Sequence, residues 1–422
     1  MTRMDRVWQR LVNPSPVHPS TVFVRGSGLS EGLDWGFWLA ACVFWIVELD
    51  LGPFELVLMG AVLQASVLIA ETPTGVVADL VSRRRSVVIS QYLMGIGFIW
   101  AVISTNYWLI LPAQALFGFG WTFRSGADTA WVTDELKGSG EYSDRLLDRL
   151  LMQRHRFGLM VGVFSILATM AIGWLTTVRW AAVGLGLAHL AVGVWCQRAM
   201  TEQHFTAGRQ RSKGFVDTLR AGLGVVWGLP RLRALVLVIV ALDMGSEAYD
   251  RLGAKHFLDS ADLDAGSATG LGLLFLALAA AGLAVNALAG RVMSRGLGVA
   301  RLAVVLLCVA AVGGFVVSLT SLVLVIAVGY MMQDSCREAL WPVLEGWANR
   351  DAPSEVRATV HSLMGQATAV GELTGGLLLG AIAEFTSIPL VLKLAAGLFA
   401  LAGVLATRGI APRTLAEPAA TT

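Results

Sequence analysis

A small set of ionisable residues lies within stretches otherwise apolar enough to cross a bilayer: Glu48, Asp50, Glu71, Arg124, Asp128, Asp243, Glu247, Asp334, Arg337, Glu338 and Glu372. Burying such groups in hydrocarbon is costly, so they face protein or a water-filled cavity and mark ion or substrate pathways. Their spacing offers some pairing on a helix surface: Arg124 with Asp128 and Asp243 with Glu247 are four apart, and Asp334 with Arg337 three apart. Two arginines neutralise two acids and leave several carboxylates over. Carboxylates without a basic partner in a low-dielectric setting are suited to exchanging a proton or capturing a cation. Aromatic residues crowd the same stretches. Trp38, Trp45, Trp121, Phe123, Trp131 and Tyr249 are candidates to stack on a planar or cationic ligand, whereas Trp35 and Trp341 near span ends read as interfacial anchors. Covalent and metal chemistry have no comparable basis. Cys42, Cys196, Cys308 and Cys336 are scattered singly, and no Cys/His spacing for a disulfide framework or a zinc site occurs.

The elements that position these residues are membrane helices. The chain has 422 residues, is 55% hydrophobic with a mean hydropathy of +0.66, and carries 15% charged residues, where a soluble domain carries roughly 25%. Apolar runs between charged or Pro/Gly-marked breaks predict twelve spans, at 35–54, 56–80, 86–104, 107–135, 156–177, 180–198, 232–255, 266–292, 300–318, 321–347, 357–384 and 387–407. Residues 1–34 read as a polar arm, with a short interfacial helix around Trp8, and not as a cleavable signal, because Pro14, Pro16 and Pro19 interrupt it. Intramembrane charge falls on the first, fourth, seventh and tenth spans, with only Glu71 and Glu372 elsewhere away from span ends and Lys393 close enough to an outer end to snorkel. The expectation is that these four helices line a shared aqueous cavity.

Basic residues alternate by loop: Arg83 to Arg85, Lys137 to Arg156, Arg198 to Arg233, Arg291 to Arg301, Arg350 with Arg357, and Arg408 with Arg413 fall on one side. Arg179, Arg251 and Lys255 are the main exceptions. Basic loops stay cytoplasmic, which places both termini inside. The longest internal polar stretch, with Arg209, Arg211, Lys213 and Arg220, separates two six-helix halves. The expected division is a 1–34 arm, a 35–199 half, a 200–231 central loop, a 232–407 half and a 408–422 tail. The halves echo each other: moving span four onto span ten matches Ser125 with Ser335, Asp128 with Glu338, Trp131 with Trp341 and Glu135 with Glu345. Repeats of this kind are common in secondary transporters.

The loop after span two reads Gly75-Val-Val-Ala-Asp79-Leu-Val-Ser-Arg83-Arg84-Arg85. It resembles the major facilitator superfamily signature G-x-x-x-D-[RK]-x-G-R-[RK], with Leu80 and Ser82 departing from it. Glu71-Thr-Pro-Thr-Gly75, Phe123-Arg-Ser-Gly-Ala-Asp128-Thr-Ala-Trp131 and Arg357-Ala-Thr resemble bacterial members of the same superfamily. The resemblance implies an all-α polytopic protein of twelve helices in two pseudo-symmetric halves, working by alternating access. It also implies a cytoplasmic ion-pair latch built from Gly75, Asp79, Arg83, Arg84 and Asp134. Two markers of the drug/proton antiporters differ: Gln114 stands where an arginine precedes Gly118, and span five, with Gly158, Gly162 and Gly173, has no proline.

The functional expectation is proton-coupled export of small amphipathic or cationic compounds, with Asp128 the leading carboxylate, Glu71 and Asp334 next, and Arg124 tuning Asp128. Import of a small nutrient by the same fold is the alternative. A membrane-embedded enzyme is a distant third, because the histidines are scattered and no Asp-rich pair lies at a cytoplasmic loop. The expected setting is a bacterial inner membrane, with a small-molecule substrate, a monomer, protons as the coupling ion, and no other cofactor or nucleic acid.

Overall fold

The structure is a computed structural model. It describes residues 17–205, 224, 226–261, 266–352 and 357–410. The segment around Trp8, the central-loop residues Arg209, Arg211, Lys213 and Arg220, and Arg413 in the tail lie outside them. Among the described residues every regular element is helical.

The first helix, α1 (Pro19–Val43), starts well before Trp35. Proline at the first helical position lacks only an N–H that would have no partner there, and its φ is already helical. His18 caps the same end, accepting from Ser20 N at 3.3 Å. The run 19–34 looked like an arm because Arg25, Glu31, Asp34 and three glycines dilute its apolarity. Arg25 is indeed exposed, but Asp34 and all three glycines are packed inside the protein. An earlier start brings an earlier end. α1 passes into a π turn at Phe44–Glu48, and Asp50 sits in the following turn with φ 49°, a left-handed conformation that Asp tolerates better than most residues. Glu48 and Asp50 are exposed at this tip, so the assignment of both to the interior of the first span is corrected.

After the turn come α2 (Pro53–Leu80), α3 (Arg83–Ile103), α4 (Tyr107–Arg124), α5 (Ala127–Gly138), α6 (Asp144–Leu175) and α7 (Val178–Ala199). Then follow α8 (Pro230–Ala248), a second π turn (Tyr249–Gly253), α9 (Ala254–Ala261), α10 (Ser267–Ser294), α11 (Val299–Ser318), α12 (Val323–Asp351), α13 (Arg357–Phe385) and α14 (Ile388–Ala406). Spans four and seven are thus each made of two pieces. Among the described residues, eight helices are long and apolar enough to cross a membrane: α2, α3, α6, α7, α10, α11, α13 and α14. The long helices outside that set are α1, α4, α8 and α12, the ones that open each half or stand fourth in it. Charge lowers the hydropathy of α1, α8 and α12, whereas α4 has Arg124 as its one charged residue and is diluted by Pro112, Gln114 and two glycines.

Contacts divide the chain into two units, one holding α1–α7 with 257–276 and the other holding α8 and the helices from 277 onward. Each unit repeats one packing scheme. In the first, α1 packs on α6 and α7, and α3 on α4 and α7; in the second, α8 packs on α13 and α14, and α11 on α12 and α14. Small residues permit the closest approaches. Gly28, Gly32 and Gly36 form one stripe of α1 against α6, where the Ser165 hydroxyl donates to Gly32 O at 2.7 Å and accepts from Gly36 N at 3.1 Å. Apolar helices gain little from hydrophobicity inside a bilayer, so close backbone contact and such hydroxyl bridges hold them together. Trp108, Trp174 and Trp180 are 71%, 79% and 63% exposed at the turns before α4 and between α6 and α7, where an aromatic belt would meet the interface.

Candidate functional site: two charged networks

In the first unit, Arg124 ends α4 and Gly126, with φ 71°, turns the chain before α5 begins. This break carries Asp128 away from Arg124, so the expected i,i+4 pair does not form. Arg124 donates to Ser30 Oγ and pairs with Asp34 at 3.4 Å, its guanidinium lying 4.8 Å from the Trp121 ring centre. His189, fully buried on α7, reaches Asp34 at 3.2 Å and Gln91 at 3.1 Å, and Gln91 donates to Ser30 Oγ at 3.2 Å. Asp128 belongs to a second group. It accepts from Ser27 Oγ at 2.7 Å and pairs with Arg154 at 3.4 Å, while Arg154 also meets Glu31 at 3.1 Å. Three acids from α1 and α5 therefore share two arginines and a histidine. Glu71 stands apart and exposed, accepting from Ser125 Oγ at 2.9 Å at the helix break.

The second unit is differently balanced. Arg337 on α12 forms a fork with Asp250, at 2.9 and 3.0 Å, and meets Asp334 at 2.8 Å. Arg251 pairs with Glu247 at 3.0 Å. Asp243 on α8 and Glu372 on α13 have no basic partner among the described residues, and Glu338 is exposed. Six carboxylates thus accompany two arginines.

The sequence repeat between spans four and ten does not give equal environments. Trp131 is buried and its indole N–H donates to Thr201 O at 2.5 Å, whereas Trp341 is 40% exposed; Asp128 is buried, whereas Glu338 is exposed. The break at Gly126 re-aims everything after it, while α12 runs unbroken through the matching stretch. The aromatic candidates are also sorted. Trp45 donates to Ala101 O at 3.2 Å and packs with Phe37 and Trp38, and Phe37 stacks on Phe98. Tyr249, fully buried, donates to Leu392 O at 2.7 Å. Trp45, Trp131 and Tyr249 are therefore packing residues. Trp121 remains 43% exposed, and Trp38 and Phe123 are half-buried.

At the α2–α3 turn, Arg83 meets Asp79 at 3.3 Å, pairs with Asp134 and donates to Ala130 O at 3.2 Å. A Cβ at Gly75 would meet nothing within 4 Å, so no neighbouring helix requires a glycine there. Ser82, in the place of the signature's glycine, has an extended backbone that needs no glycine. It caps α3 by accepting from Arg85 N at 3.0 Å and donates to Glu202 at 2.5 Å. Glu202 also accepts from Arg84 N at 2.9 Å. Beside it, the buried Glu135 carboxylate accepts from Thr201 Oγ1 (3.0 Å), Gln203 N (2.9 Å) and His204 N (3.0 Å). Residues 201–204 form a strap over the ends of α3 and α5, and the His204 ring lies where a side chain at Gly138 would go. Replacing Gly138 by alanine should displace the strap and increase protease cleavage between 200 and 230, measured in detergent by limited proteolysis; an unchanged cleavage pattern would show that the strap does not depend on this contact.

The sequence reading missed Ser30, Glu31, Asp34, Gln91, Arg154, His189, Asp250 and Arg251 as members of these networks. The four-residue spacing of Gly28, Gly32 and Gly36 around Glu31 and Asp34 was a usable sign of a buried helix there.

No protein-family model matches this sequence, and no curated protein matches it. The fold does have solved counterparts. The structure is similar to the nucleoside transporter NupG, with TM-score 0.73, 14% identity and coverage of 94% of this chain and 100% of that one. It is similar to a POT family transporter in complex with 5-aminolevulinic acid, with TM-score 0.70, 10% identity and coverage of 92% and 94%. A bacterial homologue of the human lysosomal transporter Spinster gives TM-score 0.67, 14% identity and coverage of 94% and 95%. Over nearly its whole length the chain shares the all-α fold of these solved structures.

Proposed function

We propose that this chain is a secondary active transporter working by alternating access, and that it couples proton entry to export of small amphipathic or cationic compounds. The observation that carries the reading is the placement of intramembrane charge. It collects on the first and fourth helices of each half, in a fold whose neighbours named above are transporters, and acids exceed bases there. A surplus of carboxylates suits a cationic substrate and a proton as competitors for the same groups. Asp128 loses its leading place in this reading, because Arg154, Ser27 and Thr129 N occupy its oxygens. The coupling role passes to the second unit.

The cytoplasmic placement of both termini draws support from the use of the exceptional arginines. Arg179 donates to Val102 O and Ile103 O at 2.7 and 2.6 Å, capping α3, and Arg251 is held by Glu247. Neither is a free charge on the side that the rule leaves uncharged. We place the protein in the bacterial inner membrane as a monomer. Import by the same fold is the second reading, favoured by α6 running unbroken and without the antiporters' proline.

Inside-out vesicles with a pH-sensitive dye test the function. A panel of lipophilic cations and neutral amphiphiles should elicit compound-dependent proton efflux from vesicles holding the protein and none from empty ones. Silence across the panel, or accumulation only in right-side-out vesicles, would replace export by import or by a dedicated substrate.

A further inference from the structure

The most consequential unassigned feature lies where α8 meets α13. These helices touch backbone to backbone at Gly371 and Gly375. A Cβ at Gly371 would sit 2.9 Å from Val240 O and 3.0 Å from Asp243 Cβ. Asp243 is set into this seam, 9% exposed, and its Oδ2 has no well-directed hydrogen bond. Thr368, one turn before Glu372 on α13, lies beside Asp243, and its hydroxyl oxygen is likewise buried without a well-directed partner. Glu372 directly follows Gly371, the residue whose close approach to Asp243 forms the seam.

The surrounding charges are already committed. On α8, Glu247 is held by Arg251; in the π turn, Asp250 is held by Arg337; on α12, Asp334 shares Arg337. On α14, which also packs on α8, Lys393 is the only charged residue and is exposed. The seam therefore holds two carboxylates and a hydroxyl with no cationic side chain assigned to them. Two such carboxylates in an apolar seam cannot both stay charged without a counter-cation, since the local dielectric is low and the nearby arginines are engaged. All the free ligands are hard oxygens, which suit a small cation and not a soft metal.

We propose that Asp243, Thr368 and Glu372 form a binding site for one monovalent cation, a proton or Na+, at the α8–α13 seam. The site would be where the coupling ion of the proposed transporter is held, and in that meaning the inference rests on the transporter reading. Occupancy halves the negative charge of the seam and lets α8 and α13 stay in contact; departure leaves two like charges that favour their separation.

The test uses the purified full-length protein in detergent and needs no transport substrate. Thermal unfolding is compared in NaCl and in choline chloride at equal ionic strength and mildly alkaline pH. In parallel, the infrared carbonyl band of protonated carboxyl groups is followed as pH rises. A saturable rise in melting temperature with Na+, lost in Asp243→Asn, identifies Na+. A carboxyl band that disappears on alkalinisation, and is absent in Asp243→Asn and in Glu372→Gln, identifies a proton. Should Asp243→Asn fail to fold, Thr368→Val tests the same site, with an expected weakening of apparent cation affinity of about tenfold for loss of one oxygen ligand. Absence of both the Na+ effect and an Asp243- or Thr368-dependent carboxyl band overturns the site. Compound-driven proton efflux in vesicles alongside that negative result would overturn the site alone. Cation binding in a protein whose vesicles stay silent would keep the site and leave the export reading without support.

Discussion

Replacing Arg124 by methionine should cost about 3–5 kcal/mol of stability, the range for removing one partner of a buried ion pair. Arg124 is 8% exposed, and its guanidinium serves Asp34, Ser30 and the Trp121 face at once. Methionine keeps the bulk but leaves Asp34 with His189 and no arginine. Lysine should recover little, because a point ammonium cannot reach Ser30 and Asp34 in the same plane. The informative partner is the double change Arg124→Gln with Asp34→Asn. It removes both charges and should recover much of the loss, whereas independent roles would give additive damage. Melting temperature in detergent reads each of these variants against the wild type. A wild-type melt for Arg124→Met would show that the pair contributes nothing to folding.

The second large effect is expected at Gly32. A Cβ there would stand 2.7 Å from Gly158 O and would also strike the Val161 side chain. Neither obstacle can swing aside: one is backbone, the other a β-branched side chain on a packed helix face. Gly32→Ala should therefore push α1 from α6, weaken the Ser165 bridge and cost about 1–3 kcal/mol or more, as overpacking does. Gly184 in the middle of α7 is the control, because a Cβ there meets nothing within 4 Å. Gly184→Ala should be neutral or stabilising by about 0.5–1 kcal/mol, the helix preference for alanine. Equal melts for the two variants would remove the α1–α6 stripe as a determinant of stability.

Long apolar runs made the fold class legible, because hydrocarbon forces the backbone into helices whatever the side chains do. The distribution of charge among spans was legible for the same reason: each exception to apolarity is visible in the chain. What escaped was register. Asp34 and Glu31 were assigned to an arm because glycine and charge lower hydropathy in the same way whether a segment is wet or packed, and only the partner helix distinguishes the cases. Displacing the start of α1 then misplaced Glu48 and Asp50 at the other end. Arg124 and Asp128 are spaced as helical neighbours, yet Gly126 takes a left-handed conformation between them, and spacing rules presuppose an unbroken helix. His189 and Gln91 were overlooked because uncharged polar residues hardly disturb an apolar run, although one of each suffices to fix a buried aspartate. The surplus of acid in the second half was visible as composition; which acids lacked an arginine was not.

The π turns at Phe44–Glu48 and Tyr249–Gly253 both lie late in the leading helix of their half. A π turn is one residue more than the α-helix would use, an insertion absorbed without breaking the rod. Such an insertion rotates everything beyond it by about 100°, so it is not silent and must be matched by the neighbours that pack on the far segment. The first π turn ends its helix, but the second runs on into α9, so Ala254 to Ala261 face a direction that an uninterrupted α8 would not give them.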